Sequence, residues 1–387
     1  DARTLSLLPD VLIFHKAVHD ALKYQEFFAP NEIKKAKTLL ETGRKRAEAL
    51  SSGDAPWTTE RGLVVRGYRS KIDGSIQPYG LVIPDSYTFD GKTKYRLDIW
   101  FHGRGETLSE VNFLNEHMTQ PGQFTPTDTI VLHPYGRYCN AFKFAGEVDV
   151  YEALESTQSH YKIDPDLISV RGFSMGGAAC WQFAVHDSSR WFAANPGAGF
   201  AETARFLDVF QKETLTPTWY EQKLWRLYDC DLYATNLHQC PTVAYSGEID
   251  SQKQAADVME EALAKVGIRL THIIGPQTKH AYHPDSKVIV QAKLDSLADS
   301  GRNRSPQEVH FATYTLRYNR MNWLTVNALD QHWEKALVRA NVSDPHKLFI
   351  AFSNVSAFTI DMPAGTCPLE PLGGEVRLSI GGIDQPR

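Results

Sequence analysis

Over the first fifty or so residues, apolar side chains recur with a helical period. Phe14, Ala17, Val18, Ala21 and Leu22 follow the i, i+3, i+4, i+7, i+8 rule, and Pro30-Asn31 punctuates before a second helix that runs to Leu50. "SSGDAPW" then breaks the pattern. Residues 1–57 read as a helical extension packed on the main domain, with no chemistry of its own. From residue 58 the period changes. "RGLVVRGY" and "YGLVIP" flank an Asp-Gly connection as a hairpin-like pair. "YRLDIWFHG", "DTIVLHPYG", "DLISVRGFS", "PTVAYSGEID" and "RLTHIIGP" follow as short apolar runs. Amphipathic stretches such as "DVYEALESTQSHY", "GGAACWQFAVHD" and "SQKQAADVMEEALAKVG" lie between them. Alternation of this kind predicts an α/β fold over residues 58–300, a mostly parallel sheet covered on both faces and opened by an antiparallel pair.

Two segments depart from that rhythm. Residues 202–240 are aromatic-rich and helical where a βα unit would normally close quickly, so they read as an insertion, or lid, over the C-terminal edge of the strands. After "LADSGRNRSP" the residues alternate and are β-branched or aromatic, so 306–387 read as a small C-terminal β-domain. Internal repeats and low-complexity tracts are absent.

Composition narrows the function classes. The chain has 387 residues, 42% hydrophobic and 22% charged, with net charge −5 and interspersed signs. That length allows a sizeable core, and that charge argues against nucleic acid as the main partner. No apolar run reaches the length of a membrane span. "DARTLSLLPD" has no basic start and is interrupted by Pro9 and Asp10, so it does not read as a signal peptide. The expectation is a trimmed or mature chain, secreted or periplasmic, that continues past "GGIDQPR"; oligomeric state is open. The five cysteines, 139, 180, 230, 240 and 367, show no C-x-x-C spacing. Cys230 and Cys240 are either a bridge in an exported protein or two buried free thiols.

The candidate chemistry begins at "VRGFSMGGAACW", where Ser174 sits in a G-x-S-x-G pattern. By chance a chain of this length shows one about one time in eight. Context raises its weight: a buried-strand run precedes it and a small-residue helix start follows, so the serine lies in a strand-to-helix turn. Gly172 and Gly176 suit a turn too sharp for side chains, and Gly177 suits a close approach of helix to sheet. The helix N-terminus favours an oxyanion there. The competing reading is a capping serine in an unrelated turn.

A serine nucleophile needs a base, and the base an orienting acid. Asp250 follows "PTVAYSGEI" at a strand end, with Glu248 as its rival and a helix N-cap as its plainer reading. "QTKHAYHP" offers His280 and His283; His280 is preferred because His283 abuts Pro284 and begins the next helix. "FHGRGETL" supplies the second oxyanion donor, the N–H of Arg104 beside that of Met175, with His102 orienting the loop. Such a donor is typically worth roughly 3 kcal/mol of barrier. Trp219, Tyr220 and Trp225 on the insertion are candidates for an aromatic or sugar platform, or pack it onto the core. Arg137 and Asn140 are candidates for a polar or anionic substrate group. No metal site is expected, because the bare H-x-x-H of His280 and His283 lacks a third ligand.

With these residues placed, the chain resembles an α/β-hydrolase, and in particular the prolyl-oligopeptidase-like esterase branch that includes feruloyl and acetyl-xylan esterases. The resemblance covers residues 58–300 and rests on "HGRG", "GFSMGG", "GEID" and "KHAYHP"; "HPYGRYCNAFKFAGEVDVYEAL" is similar to the loop and helix after strand four of that group. It implies serine-nucleophile hydrolysis without metal or organic cofactor, with Ser174, Asp250 and His280 as triad. Residues 1–57 cannot form the gating propeller of a prolyl oligopeptidase, which favours an esterase acting on small-molecule or polysaccharide esters. The alternatives are an oligopeptidase and a non-catalytic carbohydrate-binding protein on a hydrolase scaffold.

Overall fold

The helical period at the start of the chain forms as expected. In the computed structural model, which describes residues 2–370 and 376–383, it builds α1 (Ala2–Leu7), α2 (Pro9–Lys23) and α3 (Glu32–Ser51). Phe14, Ala17, Val18 and Ala21 of α2 are buried together with Ala36 and Leu39 of α3. Leu22 is exposed instead. Eight residues beyond Phe14 it has turned by about 80° around the axis, past the edge of the stripe. Asp10, buried in the first turn of α2, receives Arg66 at 2.7 Å, the Gly67 N–H at 2.9 Å and the Trp57 indole at 2.9 Å. A carboxylate so fully partnered anchors α2 to the first strand. Gly67 has to be glycine, since a Cβ there would lie 2.6 Å from the Pro9 carbonyl.

The chain divides into two units, Asp1–Ala179 and Cys180–Arg387. The first carries β1 (Gly62–Arg69), β2 (Ile76–Ile83), β3 (Tyr95–Phe101), β4 (Thr129–Pro134) and β5 (Ile163–Phe173), with α4 (Glu110–Thr119) and α5 (Ala145–His160) between strands. Its strand order is β1-β2-β4-β3-β5. β1 and β2 form the expected antiparallel hairpin, and β3 pairs in parallel with both β4 and β5. The β3–β5 register is fixed by a buried charge group. Asp98 accepts from Arg96 at 2.8 Å, Ser169 at 2.8 Å and Arg171 at 3.0 Å. Burial alone would raise the Asp98 carboxyl, but the two guanidiniums outweigh it and hold it below its ordinary value.

α6 (Met175–His186) leads into the second unit, where β6 (Ala193–Gly197), β7 (Val243–Gly247) and β8 (Thr271–Gly275) are parallel neighbours. β6 reads "AANPG", without a β-branched residue and with a proline, so the sequence pattern passes over it; all five residues are nonetheless buried. Between β6 and β7 the chain forms α7 (Thr203–Arg205), a π-turn at Phe206–Phe210, α8 (Trp219–Trp225) and a 3-10 helix at Cys230–Gln239. α9 (Lys253–Lys265) and α10 (Pro284–Ala298) follow β7 and β8. Cys230 and Cys240 are buried and not joined in a disulfide, so the disulfide alternative does not hold.

The remaining strands are β9 (Glu308–Thr313), β10 (Arg320–Met321), β11 (Leu324–Ala328), β12 (Ala336–Asp344), β13 (Lys347–Ser353), β14 (Ala357–Ile360) and β15 (Arg377–Gly382). They make sheets ordered β10-β11-β14 and β15-β13-β12-β9. Val309, Phe311, Trp323, Leu324, Val338 and Ile350 form their shared core. The expectation that the chain continues past its end falls on residues 384–387, outside those described. Among the described residues no helix is long and apolar enough to cross a membrane.

Candidate active site

Ser174 lies between the end of β5 and the start of α6, with φ at +60°. A non-glycine residue in the left-handed region marks a strained turn. The glycines around it are required by contact. A Cβ on Gly172 would fall 2.2 Å from the Gly176 carbonyl oxygen, and one on Gly176 would fall 2.0 Å from that of Phe101. The turn therefore folds hard against the end of β3. The Ala178 N–H donates to the Ser174 carbonyl at 3.1 Å, so Ser174 caps α6 and the N–H groups of its first turn have no intrahelical acceptor.

The loop after β3 reaches the same place. A Cβ built on Gly103 would touch the Ser174 Cβ at 3.7 Å and the Phe173 carbonyl at 3.6 Å. His102 is held with Nδ1 2.9 Å from the Gly103 carbonyl and Nε2 2.9 Å from that of Tyr135. Burial keeps this imidazole below its ordinary pKa against the pull of both carbonyls. The Arg104 side chain turns outward to an ion pair with Glu106, leaving its backbone in the loop. Cys139, which no spacing singled out, also belongs here. Its sulfur accepts the Gly105 N–H at 3.1 Å and lies 3.9 Å from the Met175 sulfur.

In the second unit, Asp250 and His280 form a hydrogen-bonded pair. His280 Nδ1 is 2.7 Å from Asp250 Oδ2. Because a carboxylate only accepts, the bond places the proton on Nδ1 and leaves Nε2 as the basic nitrogen. The Asp250 side chain is 2% exposed and the imidazole 38%. The other Asp250 oxygen accepts the Gln252 N–H at 2.9 Å. That bond closes a local turn ahead of α9, whose N-cap is Gln252 without a side-chain cap bond, so the N-cap reading of Asp250 does not hold. Glu248, the rival acid, instead accepts from the Gln277 backbone and side chain at 2.7 and 2.9 Å. His283, the rival base, is the N-cap of α10 with Pro284 following.

The loop that carries His280 is tied down from three sides. Ile249 N–H donates to the Thr278 carbonyl at 3.1 Å. Gly247 admits the loop so closely that a Cβ would lie 2.3 Å from the Lys279 carbonyl. The Tyr245 hydroxyl donates to the Ala281 carbonyl at 2.8 Å and accepts the His283 N–H at 2.7 Å, while its ring stacks on Tyr282.

A model of the prolyl oligopeptidase family matches residues 145–300. That segment is under half of the chain and contains Ser174, Asp250 and His280. No curated protein sequence matches. Among solved structures, FphF of Staphylococcus aureus, described as a fluorophosphonate-binding serine hydrolase, is 15% identical with a TM-score of 0.45, over 62% of this chain and 99% of its own. A ferulic acid esterase is 15% identical at 0.46, over 63% and 99%. A candidate dipeptidyl aminopeptidase IV from Bacteroides ovatus is 13% identical at 0.47, over 64% of this chain but 37% of its own.

The protein has the α/β-hydrolase fold. On this hydrolase scaffold the expected substrate residues fare unequally. Arg137 donates to Asp73 at 2.8 Å and Ser70 at 2.8 Å, and its Nε is 3.7 Å from Asp149. Asn140 accepts the Phe142 N–H at 2.8 Å and donates to the Arg137 carbonyl at 3.3 Å. Their polar groups stabilise a loop in which Arg137, Tyr138, Ala141, Phe142 and Phe144 all have positive φ. Arg137 and Asn140 thus brace this loop, and a substrate-binding role for either remains a proposal. Trp219 is 73% exposed and meets Tyr220 edge to face at 5.8 Å, whereas Trp225 is half-buried. Packing onto a core accounts for neither Trp219 nor Tyr220.

Proposed function

We propose that the protein is a serine hydrolase that cleaves carboxylic esters through an acyl-enzyme on Ser174. The observation that carries this reading is the buried Asp250 carboxylate bonded to His280 Nδ1 at 2.7 Å, on a chain that also holds Ser174 at φ +60° in a glycine-flanked turn. In the proposed reaction, His280 Nε2 takes the Ser174 hydroxyl proton as the oxygen attacks the ester carbonyl. The N–H groups of Arg104 and Met175 stabilise the oxyanion. Collapse of that intermediate breaks the acyl–oxygen bond, and His280 returns the proton to the leaving alcohol. Water, deprotonated by His280, then releases the acid and restores the serine. Asp250 stabilises the imidazolium and fixes its tautomer.

Acetyl or feruloyl side-chain esters of a polysaccharide are the proposed substrates, with Trp219 and Tyr220 as an exposed platform for a ring. A second reading, oligopeptidase action, is favoured by the family matched over residues 145–300.

The test is turnover of p-nitrophenyl acetate and butyrate, methyl ferulate, acetylated xylan and a prolyl-peptide amide, beside Ser174→Ala. Ester turnover that falls at least about 10⁴-fold in the variant is expected. Faster hydrolysis of the amide than of any ester would move the assignment to the oligopeptidase reading. Unchanged ester turnover in Ser174→Ala would remove the serine from the mechanism.

A further inference from the structure

Away from the site above, the 3-10 helix Cys230–Gln239 meets β9 at a group of unused donors. His238 is in the last turn of that helix, and Glu308 and His310 are two apart on β9, hence on one face. His238 Nε2 is 3.9 Å from Glu308 Oε2, and His310 Nε2 is 4.0 Å from the same oxygen. One donor atom from each residue lies within 4.8 Å of the other two. The two imidazoles stack with centroids 4.3 Å apart and planes at 20°.

This placement is held from behind. Asn236, two residues before His238, accepts the Ala312 N–H at 2.7 Å and donates to the Ala312 carbonyl at 3.0 Å. Gln239 donates to the Glu308 carbonyl at 2.8 Å. Asn341, the register partner of Glu308 on β12, donates to Glu308 Oε1 at 2.8 Å. The carboxylate is thereby oriented by one oxygen while the other faces both imidazoles, the second-layer support common around metal ligands.

We propose that His238, Glu308 and His310 form a binding site for a divalent transition-metal ion of the zinc type. Two imidazoles and one carboxylate are a donor set that suits Zn²⁺, with water completing four-coordination at an exposed site. Bonds of roughly 2.0–2.1 Å put tetrahedral donors roughly 3.4 Å apart, so each histidine–carboxylate gap closes by roughly half an ångström. Side-chain rotation of partly exposed imidazoles supplies that. Arg339, opposite His310 in register on β12, works against a cation. A second three-donor group among the described residues, Asp257, Glu260 and His272, is less suited: Lys253 already pairs with Asp257, and His272 Nε2 is 3.0 Å from the Ser246 hydroxyl. An ion at the proposed site would bridge the 3-10 helix and β9.

The experiment is calorimetric titration of untagged, chelator-stripped protein with ZnCl₂, paired with a thermal melt. One saturable equivalent and a higher Tm with zinc are expected. His238→Ala, His310→Ala and Glu308→Gln should each weaken binding at least about tenfold. His272→Ala should leave it unchanged, and Arg339→Gln should tighten it. Circular dichroism verifies each variant; should a β9 substitution unfold, His238→Gln on the exposed helix end carries the test. Absence of saturable binding in the wild type, equal affinity in His238→Gln, or loss of binding in His272→Ala would overturn the proposal.

Discussion

At the scale of single residues, the central tension is Ser174. Its φ of +60° is one that glycine adopts freely and serine does not. Ser174→Gly should therefore stabilise the fold by about 1 kcal/mol while abolishing ester turnover, a trade measured by urea denaturation beside an activity assay. A destabilised Ser174→Gly variant would mean that the conformation is not strained. Residue-level chemistry was unevenly legible in the sequence. The glycines at 172 and 176 announce the turn because their neighbours leave no room for a side chain. Asp250 and His280 could be picked out by position after strands, but only the structure shows their 2.7 Å bond and the diversion of Glu248 to Gln277. Cys139 carried no signal, since a lone cysteine in a loop has no spacing to read. The bracing role of Arg137 was silent for a related reason: its partners Asp73 and Ser70 are more than sixty residues away in sequence.

Elements show the same division between local and distant causes. Hydrophobic runs located β1 to β5 and β7, where burial demands apolar side chains, and also β8, which is only partly buried over 271–274. β6 escaped because its small residues are selected by close packing, which leaves no periodic trace. The loop following β8 depends on tertiary contact in the same way. Tyr245, inside β7, satisfies the Ala281 carbonyl and the His283 N–H on either side of Tyr282. Tyr245→Phe keeps the ring but leaves both backbone groups without this partner, so the His280 loop loosens. The expected result is a kcat lowered about tenfold with KM little changed, since a positioning defect acts on the transition state more than on substrate binding. Wild-type kcat in Tyr245→Phe would show that the hydroxyl is dispensable. The β3–β5 contact has a sharper dependence. Asp98→Ala strands Arg96 and Arg171 without their carboxylate, and should cost about 3–5 kcal/mol of stability by urea titration.

For the whole molecule, buried histidines set a pH limit. His133, fully enclosed, is pushed down to about 3 by burial, with His102 adding to the effect. His117, its ring 4.4 Å from that of His133, is held well below its ordinary value by burial and by both neighbours. These groups stay neutral in the fold but take up a proton on unfolding below pH ~6.5. At these groups the unfolded chain then binds more protons, so their contribution to stability is complete above pH ~6.5 and falls as pH drops toward 3, by up to about 1.4 kcal/mol per unit for each group. Burial that raises the carboxyls of Glu110, Asp149 and Asp229 acts with the opposite sign over the same range. The urea midpoint of the wild type should therefore fall relative to that of His133→Gln between pH 6.5 and 4. A difference between the two that does not change with pH would contradict the burial account. Ser174 lies far in sequence from the Asp250–His280 pair, and the proposed partnership was readable only as an order of strand ends along the chain.

The most direct measurement of the central claim is acid-quenched mass spectrometry after rapid mixing with p-nitrophenyl acetate, followed by peptide mapping. The account predicts a burst of about one nitrophenol per chain and a single acetyl group on the peptide that contains Ser174. It also predicts neither signal in Ser174→Ala. Steady ester turnover with an unmodified Ser174 peptide, or acetyl on another side chain that persists in Ser174→Ala, would contradict it.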